Sequence, residues 1–319
     1  MSALNRRRFL ELTAASLALG TSRAPAAESD GPRPKRKFTM GLSCGSIGVG
    51  ASFAQAVELA GQFGFESIEP PVDHLARLSD GQLQELLADL KAKRLAWGAA
   101  GLPIDFRGDE ARFTEGLKPL ARFAQTLQRA GVTRVATWLT PSHRTLTYVA
   151  NFRQHARRLR EAAKVLAGRG VRLGLEYVGP KTAWASGRFP FIHTMAEMKD
   201  LIAEIGRDNV GVLLDSWHWY TAGETGADLL SLRNADVVLC HLNDAPKGVP
   251  VDQQVDNRRD LPGATGVIDL KTFLGALAQI GYDGPIVAEP FRPDLGRLPR
   301  DEAVGLVAGA MKKAFALVP

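Results

Sequence analysis

The sequence predicts a single α/β domain in which eight parallel strands close into a (β/α)8 barrel. Three observations favour this fold. Apolar, β-branched runs alternate with helical patterns without interruption from residue 38 to residue 316. Glycines follow five of the helical runs, where a left-handed residue commonly ends a helix. The length of 319 residues suits one barrel domain with a short extension.

Eight strands and eight helices account for the alternation. The predicted strands cover residues 38–44, 65–69, 95–101, 134–140, 172–178, 210–215, 237–242 and 285–290. The predicted helices cover residues 52–63, 79–93, 109–130, 145–169, 194–206, 226–234, 269–280 and 300–316. Continuous βα repetition indicates a parallel core with helices outside, and closure into a TIM barrel is the economical arrangement for eight units. The alternative is an open doubly wound sheet, which no glycine-rich dinucleotide motif supports.

Two connections are longer than the rest. Residues 243–268 separate the seventh strand from its helix, and residues 179–193 follow the fifth strand. Long loops in a compact barrel usually carry function as lids or binding segments. Both loops lie at the C-terminal ends of strands, so both are expected on the catalytic rim.

The first 27 residues resemble a twin-arginine export signal. Asn5-Arg6-Arg7-Arg8-Phe9-Leu10 matches the motif, a short apolar stretch follows, and Ala24-Pro25-Ala26-Ala27 resembles a cleavage site. The apolar stretch is too short to span a bilayer, so no stable membrane insertion is expected. Residues 28–37 are predicted to be a disordered spacer, with 38–319 as the barrel domain. The alternative is a basic N-terminal arm with a short helix.

The charge argues against a nucleic-acid-binding protein, and the cysteine content argues against a disulfide-stabilised one. The net charge is +6, and residues 1–27 contribute four arginines against one glutamate, so the barrel itself is only weakly basic. This balance does not predict a nucleic-acid partner. Cys44 and Cys240 both fall in predicted strands and are expected as small buried residues rather than as a disulfide.

Four predicted strands carry, at or near their C-terminal ends, a residue that can bind a metal. Glu176, Asp215, His241 and Glu289 each close an apolar run. The C-terminal ends of barrel strands converge on one rim, so the four side chains are expected to meet. Three carboxylates and one imidazole suit a single Mn, Mg, Co or Zn ion.

Each of these residues also has a structural explanation. A buried glutamate can pair with a neighbouring strand, and a lone histidine is often a satisfied core residue. Four independent structural explanations would nonetheless have to coincide on consecutive strands. His218 follows Asp215 by three residues and is expected over the same rim, and Glu69 at the end of the second strand is a further rim candidate.

The chain resembles the xylose isomerase-like TIM-barrel superfamily, in particular its sugar (phosphate) isomerase/epimerase group. Five motifs carry the resemblance, which spans essentially all of residues 38–316. They are Gly174-Leu175-Glu176, Asp215-Ser216-Trp217-His218, His241-Leu242-Asn243-Asp244, Arg259-Asp260-Leu261-Pro262-Gly263 and Ala288-Glu289.

The resemblance implies a role for each motif residue. In ketose epimerases of this group, the positions matching Glu176, Asp215, His241 and Glu289 bind one divalent metal. The two glutamates also act as the acid/base pair, and the residues matching His218 and Arg259 hold substrate oxygens. The implied function is a metal-dependent sugar isomerase or epimerase that transfers a proton through an enediolate. Glu69 is a candidate for substrate binding from its position alone, and a hydrogen-bonded structural carboxylate is the alternative.

Two observations leave other functions open. One residue of the ketose epimerase pattern is missing, and related enzymes begin with the same chemical step. Ketose epimerases usually carry another glutamate after the first ligand, whereas Tyr177-Val178-Gly179-Pro180-Lys181-Thr182 has no acid. A keto-sugar or inosose dehydratase begins with the same proton abstraction. A non-catalytic exported sugar-binding barrel would not need both glutamates. An endonuclease IV-like phosphodiesterase needs more ligands than the six histidines of this chain supply. The expected partner is a small sugar, and a homo-oligomer is compatible with the sequence.

Overall fold

The computed structural model describes residues 35–319. The predicted export signal, residues 1–27, lies outside this range, as does the predicted spacer up to residue 34. Arg36 lies within the predicted spacer. Its guanidinium pairs with Glu66 at 2.9 Å and donates to the carbonyl oxygen of Phe38, so this residue contacts the barrel.

Eleven strands form two sheets in the described part of the chain. The larger, nine-stranded sheet is parallel throughout, in the order β3-β2-β1-β11-β10-β9-β7-β5-β4. The smaller sheet pairs β6 with β8 in antiparallel fashion. The strands are β1 (Thr39–Leu42), β2 (Ser67–Ile68), β3 (Ala96–Trp97), β4 (Ala100–Gly101), β5 (Arg134–Trp138), β6 (Ser142–His143), β7 (Arg172–Glu176), β8 (Phe189–Pro190), β9 (Val210–Asp215), β10 (Val237–Leu242) and β11 (Pro285–Ala288).

The third predicted strand is divided into two short strands, β3 and β4, which together close the barrel. β3 pairs with β2, whereas β4 pairs with β5 on the other side. Only Gly98 and Ala99 separate them, so the two edge strands of the sheet are successive parts of one chain segment. A Cβ atom at position 98 would lie 3.2 Å from the carbonyl oxygen of Ile68, so glycine permits the close approach there. The predicted eight-stranded parallel barrel is therefore confirmed, with its third strand divided where it changes partner.

Twelve α-helices surround the sheet in residues 35–319. They are α1 (Phe53–Phe63), α2 (Val72–Leu75), α3 (Asp80–Ala92), α4 (Glu110–Leu117), α5 (Leu120–Ala130), α6 (Tyr148–Ala167), α7 (Lys181–Trp184), α8 (Met195–Ile205), α9 (Ser216–Thr221), α10 (Gly226–Leu230), α11 (Leu270–Gln279) and α12 (Arg300–Phe315). Capping boxes begin α1, α3 and α8 at Ser52, Ser79 and Thr194.

Several predicted boundaries are wrong for identifiable reasons. The helix predicted over 109–130 is two helices, because Pro119 has no backbone N–H and cannot continue α4. The helix predicted over 226–234 ends at Leu230, and a short 3-10 turn follows at Asn234–Asp236. Short α2, α7 and α9 were not predicted, because fewer than two helical turns leave no periodic pattern.

Apolar packing lies on both sides of the barrel wall. The larger cluster fills the space between strands and helices, and a small inner layer consists of Ala136, Leu213, Leu239 and Val287. Cys240 is buried, as predicted, whereas Cys44 is only half-buried, and both thiols are free. Every helix within residues 35–319 is too short or too polar to cross a bilayer.

Candidate metal and substrate site

Four side chains of metal-ligand type meet at the C-terminal rim. Glu176 ends β7, Asp215 ends β9, His241 is the penultimate residue of β10, and Glu289 directly follows β11. One ligand atom from each side chain lies within 4.8 Å of all the others. His241 Nδ1 lies 3.2 Å from Glu289 Oε2 and 3.3 Å from Glu176 Oε1. The structure thus brings together the four residues that the sequence singled out.

The period of the strands places these side chains inside the barrel. Alternate residues of a strand face the same side. Three of the four follow a residue of the inner apolar layer by two positions, as Leu213 with Asp215, Leu239 with His241, and Val287 with Glu289. The cluster therefore lies directly above that layer and faces the rim opening.

The donor set fits a divalent cation. Glu176 Oε1 and His241 Nδ1 are buried and have no hydrogen-bond partner. Buried polar atoms are nearly always paired, so two unpaired atoms that face each other point to a ligand between them. Carboxylate oxygens with one imidazole nitrogen suit Mn, Mg, Co or Zn. The four side chains form a candidate metal site.

Arg259 brings the long loop into this cluster. Its Nη1 donates to Asp215 Oδ2 at 2.7 Å and to Glu289 Oε2 at 3.1 Å. On the outer side, Nη2 donates to Asp256 Oδ1 at 2.8 Å and Nε to the Asp256 carbonyl oxygen at 2.9 Å. Only 4% of Arg259 is exposed, although the two preceding residues of the loop, Asn257 and Arg258, are exposed. The arginine is the inner contact of that loop.

His218 presents one nitrogen to the site. Its Nδ1 accepts a hydrogen bond from the Gly179 N–H at 3.2 Å, so a neutral ring carries its proton on Nε2. This Nε2 lies 3.4 Å from Arg259 Nη2 and 3.9 Å from Glu176 Oε1. Two N–H donors so close together can share one acceptor, such as a substrate oxygen.

Asn243 is a member of the site whose role the sequence did not reveal. Its Nδ2 donates to Asp215 Oδ1 at 3.0 Å, and its Oδ1 accepts the Glu289 N–H at 3.0 Å. One amide side chain therefore fixes two of the candidate ligands. Its position two residues after His241, on the same side of the chain, is the sequence feature that could have indicated this role.

Burial and charge shift the pKa values of the cluster in different directions. Burial raises the pKa of Glu176. Burial is the largest single influence on the pKa of Asp215 and would raise it, but the positive charge of Arg259, together with smaller contributions from His218 and His241, lowers that pKa. Burial would lower the pKa of His241, whereas the negative charge of Glu289 and the contact with Glu176 raise it well above its usual value. The cluster is an anionic environment that favours a bound cation.

A cavity of about 180 Å³ opens beside the cluster. Glu176, His241 and Glu289 form one side, and the apolar inner layer forms part of its wall. On the other side lies Glu69, whose Oε2 accepts a hydrogen bond from the Ser43 hydroxyl at 2.6 Å. Glu69 is therefore not part of the four-residue cluster but lines the same cavity.

The tryptophans near the strand ends divide into two kinds. Trp217 and Trp219 are buried in the core, and the Trp184 ring stacks on His193 with centroids 4.7 Å apart. Trp138 is 49% exposed and lines the cavity. Of the four, only Trp138 is placed where an indole can contact a cavity ligand.

The segment after β7, which lacks the additional glutamate of the ketose epimerases, makes contacts to the long loop. Lys181 Nζ lies 2.7 Å from Asp252 Oδ2, and the Thr182 hydroxyl donates to the Gln254 carbonyl oxygen at 2.6 Å. At the base of the loop, Asp244 and Asp260 exchange two backbone hydrogen bonds. The segment after β7 thus anchors the loop instead of presenting an acid.

The fold and the rim define a (β/α)8-barrel protein with a candidate divalent-metal site at the C-terminal ends of its strands. A family model described as xylose isomerase-like TIM barrel matches residues 57–314. The chain belongs to this xylose isomerase-like TIM-barrel family, as its motifs predicted.

Its relatives include an isomerase, an epimerase and a dehydratase. An inosose isomerase of Bacillus velezensis is 26% identical over 260 residues, covering 80% of this chain and 89% of the relative. A D-psicose 3-epimerase of Ruminiclostridium cellulolyticum is 26% identical, covering 76% of this chain and 79% of the relative. A 3-dehydroshikimate dehydratase of Pseudomonas aeruginosa is 26% identical, covering 79% of this chain but 38% of the relative.

Solved structures agree on the fold. A xylose isomerase domain protein from Alicyclobacillus acidocaldarius has a TM-score of 0.75 at 31% identity, covering 89% of this chain and 99% of that one. The zinc-bound IOLI protein has a TM-score of 0.73 at 21% identity, covering 88% of this chain and 99% of that one. The second likeness concerns the fold alone.

Proposed function

We propose that this protein is a divalent-metal-dependent sugar isomerase or epimerase that acts on a ketose or keto-sugar by enediolate proton transfer. One observation carries the proposal. Glu176 and Glu289 both line the cavity, and each lies within 3.3 Å of the same His241 nitrogen. Two carboxylates that border one small cavity can exchange a proton with a substrate carbon between them. The inosose isomerase and the epimerase among the relatives support this class.

Glu176, Asp215, His241 and Glu289 would hold the metal. Their two unpaired buried atoms and their mixed oxygen and nitrogen donors support this assignment. When bound, a divalent ion supplies Lewis-acid polarisation of the substrate carbonyl. Asn243 keeps two ligand residues in place, through the Asp215 carboxylate and the Glu289 backbone.

Glu176 and Glu289 would act as the acid/base pair. In this role one carboxylate removes the proton from the carbon next to the carbonyl, and the other returns a proton to the epimeric face. The His218 Nε2–H and the Arg259 Nη2–H converge within 3.4 Å, which suits one developing oxyanion. Glu69, across the cavity, would accept a hydrogen bond from a substrate hydroxyl.

A keto-sugar or inosose dehydratase is the second candidate. The 3-dehydroshikimate dehydratase among the relatives favours it. The first step is the same proton abstraction, and a dehydratase differs in the loss of a hydroxyl group. The non-catalytic sugar-binding barrel is less well supported, because ligand binding alone does not require Glu176 and Glu289 to line the cavity together.

Export through the twin-arginine route remains a proposal that rests on residues 1–27 of the sequence. An exported enzyme rarely meets phosphorylated sugars, so we propose an unphosphorylated substrate.

Elemental analysis of the folded protein, followed by an exchange assay in D2O, tests the function. Ketoses, keto-glycosides and inososes are incubated with the metal-loaded protein, and deuterium next to the carbonyl is measured by NMR. We expect one substrate to exchange, and Glu176→Gln and Glu289→Gln each to abolish the exchange. Loss of water from the substrate would identify the dehydratase. Binding without exchange across the panel would contradict the enzyme assignment.

A further inference from the structure

Phe291 has a strained backbone next to the candidate site. Its φ angle is 43°, and Arg94 is the one other non-glycine residue with positive φ in residues 35–319. A bulky side chain in this region is an outlier that persists only when surrounding contacts compensate for it. Phe291 follows the candidate ligand Glu289 by two residues, so the strain lies at the rim.

The strained conformation places the Phe291 ring on Arg259. The guanidinium carbon of Arg259 lies 4.5 Å from the Phe291 ring centroid and 5.4 Å from that of Trp217. Trp217 is fully buried, whereas Phe291 is 39% exposed. Phe291 is therefore the aromatic contact on the solvent side of the arginine, and it shields the ion pairs of Arg259 from water.

The next residue makes a parallel contact. Arg292 Nη1 lies 3.1 Å from Asp260 Oδ1, and Asp260 is bound through its backbone to Asp244 at the base of the loop. Phe291 thus contacts Arg259, and Arg292 contacts Asp260. Two consecutive residues after β11 therefore hold two consecutive residues of the long loop.

We propose that Phe291 and Arg292 form a clasp that holds Arg259 of the 243–268 loop in the candidate site. Phe291 is a positioning residue, because it acts through Arg259 rather than on a substrate. The reason lies in the geometry of the guanidinium. Its Nη1 donates to the carboxylates of Asp215 and Glu289. Its Nη2 donates to Asp256 and lies beside His218. A tilt of the plane would misdirect both sets of donors at once.

Phe291→Gly tests the clasp without loss of the fold. Glycine adopts a φ of 43° freely, so this variant removes the ring and relieves the strain together. Arg94→Gly is the matched control, because it relieves comparable strain at φ 57° in an exposed loop before β3. Phe291→Tyr keeps the ring and is expected to behave as the parent protein.

The first measurement is amide hydrogen exchange in residues 256–262. The Arg258 and Asp260 amides donate to the carbonyl oxygens of Val255 and Asp244, so they report the closed loop. We expect exchange in Phe291→Gly to be roughly 3- to 30-fold faster, the range of a partly buried cation–π contact, with an unchanged metal content. Unchanged exchange would overturn the clasp. Metal loss without faster exchange in residues 256–262 would show that Phe291 supports Glu289 rather than Arg259, which also overturns it.

The second measurement rests on the proposed function. With the substrate found in the D2O assay, Phe291→Gly is expected to lower kcat by roughly 3- to 30-fold, less than Arg259→Lys does, with little change in KM. Equal kcat in Phe291→Gly and Arg94→Gly would contradict the positioning role. If no substrate is found, the exchange measurement still decides the clasp, so the two proposals fail separately.

Discussion

Arg259 and Asp215 share a 2.7 Å ion pair that joins the 243–268 loop to the end of β9. Asp215 is fully buried, and its other oxygen accepts hydrogen bonds from the Trp217 N–H and from Asn243. The oxygen that faces the candidate metal position is therefore the same one that the loop arginine holds. Loop placement and ligand geometry depend on each other at this contact.

The Glu176→Gln, Asp215→Asn double variant should lose its metal. Both changes keep the shape of the side chains and remove two anionic donors, so metal affinity should fall by more than about 100-fold. Elemental analysis and metal titration of the folded protein measure this. The matched control is Asp301→Asn, Glu302→Gln, two exposed acids at the start of α12. Parent-like metal content in the first variant would refute the site.

Substitutions of Arg259 should separate the effect of its positive charge from the effect of its planar, forked shape. Arg259→Met leaves the buried Asp215 without its ion partner, which should cost about 3–5 kcal/mol of unfolding free energy in metal-free protein. Arg259→Lys restores a charge but not the planar fork, so stability should recover while turnover stays roughly 10²-fold or more below the parent. Denaturant unfolding and the D2O exchange rate are the measurements. Full turnover in Arg259→Lys would contradict the oxyanion role.

Glu69→Gln should weaken substrate binding without affecting the metal. Glu69 contacts Ser43 and lines the cavity, but it lies outside the four-residue cluster. Loss of a hydrogen bond to a charged group should raise KM by about 10- to 100-fold. Asp73→Asn, on the exposed surface of α2, is the control. An unchanged KM in Glu69→Gln would remove Glu69 from the substrate site.

Glu224 should make stability depend on pH. Burial raises the pKa of its carboxyl from 4.5 to about 7, although Tyr177 and the Met195 N–H both donate to it. The folded state therefore binds this proton more tightly than the unfolded state does. The resulting stability is complete below about pH 4.5 and is lost as pH rises through 7, with an upper bound of about 3 kcal/mol.

Thermal unfolding of Glu224→Gln between pH 5 and pH 8 checks this dependence. The amide introduced at position 224 stays neutral, so the Tm of this variant should fall less over that interval than the Tm of the parent protein. Glu302→Gln removes an exposed carboxyl and should follow the parent. Identical pH profiles for the parent and Glu224→Gln would show that Glu224 does not titrate in this range.

Local sequence patterns were sufficient for the barrel and for the four rim residues. The strands ending at Asp215 and at Leu242 have their predicted bounds. β11 ends at Ala288, two residues earlier than predicted, because Pro290 cannot donate a ladder hydrogen bond. The division of the third strand depends on which neighbour each half pairs with, and no local pattern contains that information.

The alternation of strands and helices and the chemical type of residue at each strand end follow from the sequence alone, because both depend on short-range periodicity and composition. Three contacts become visible only in the folded molecule. Asn243 fixes both Asp215 and Glu289. Glu69 faces the cluster from across the cavity, and Phe291 lies on Arg259. These are contacts between segments far apart in the chain. They depend on how the closed barrel and its long loop are packed, and strand period alone does not specify that.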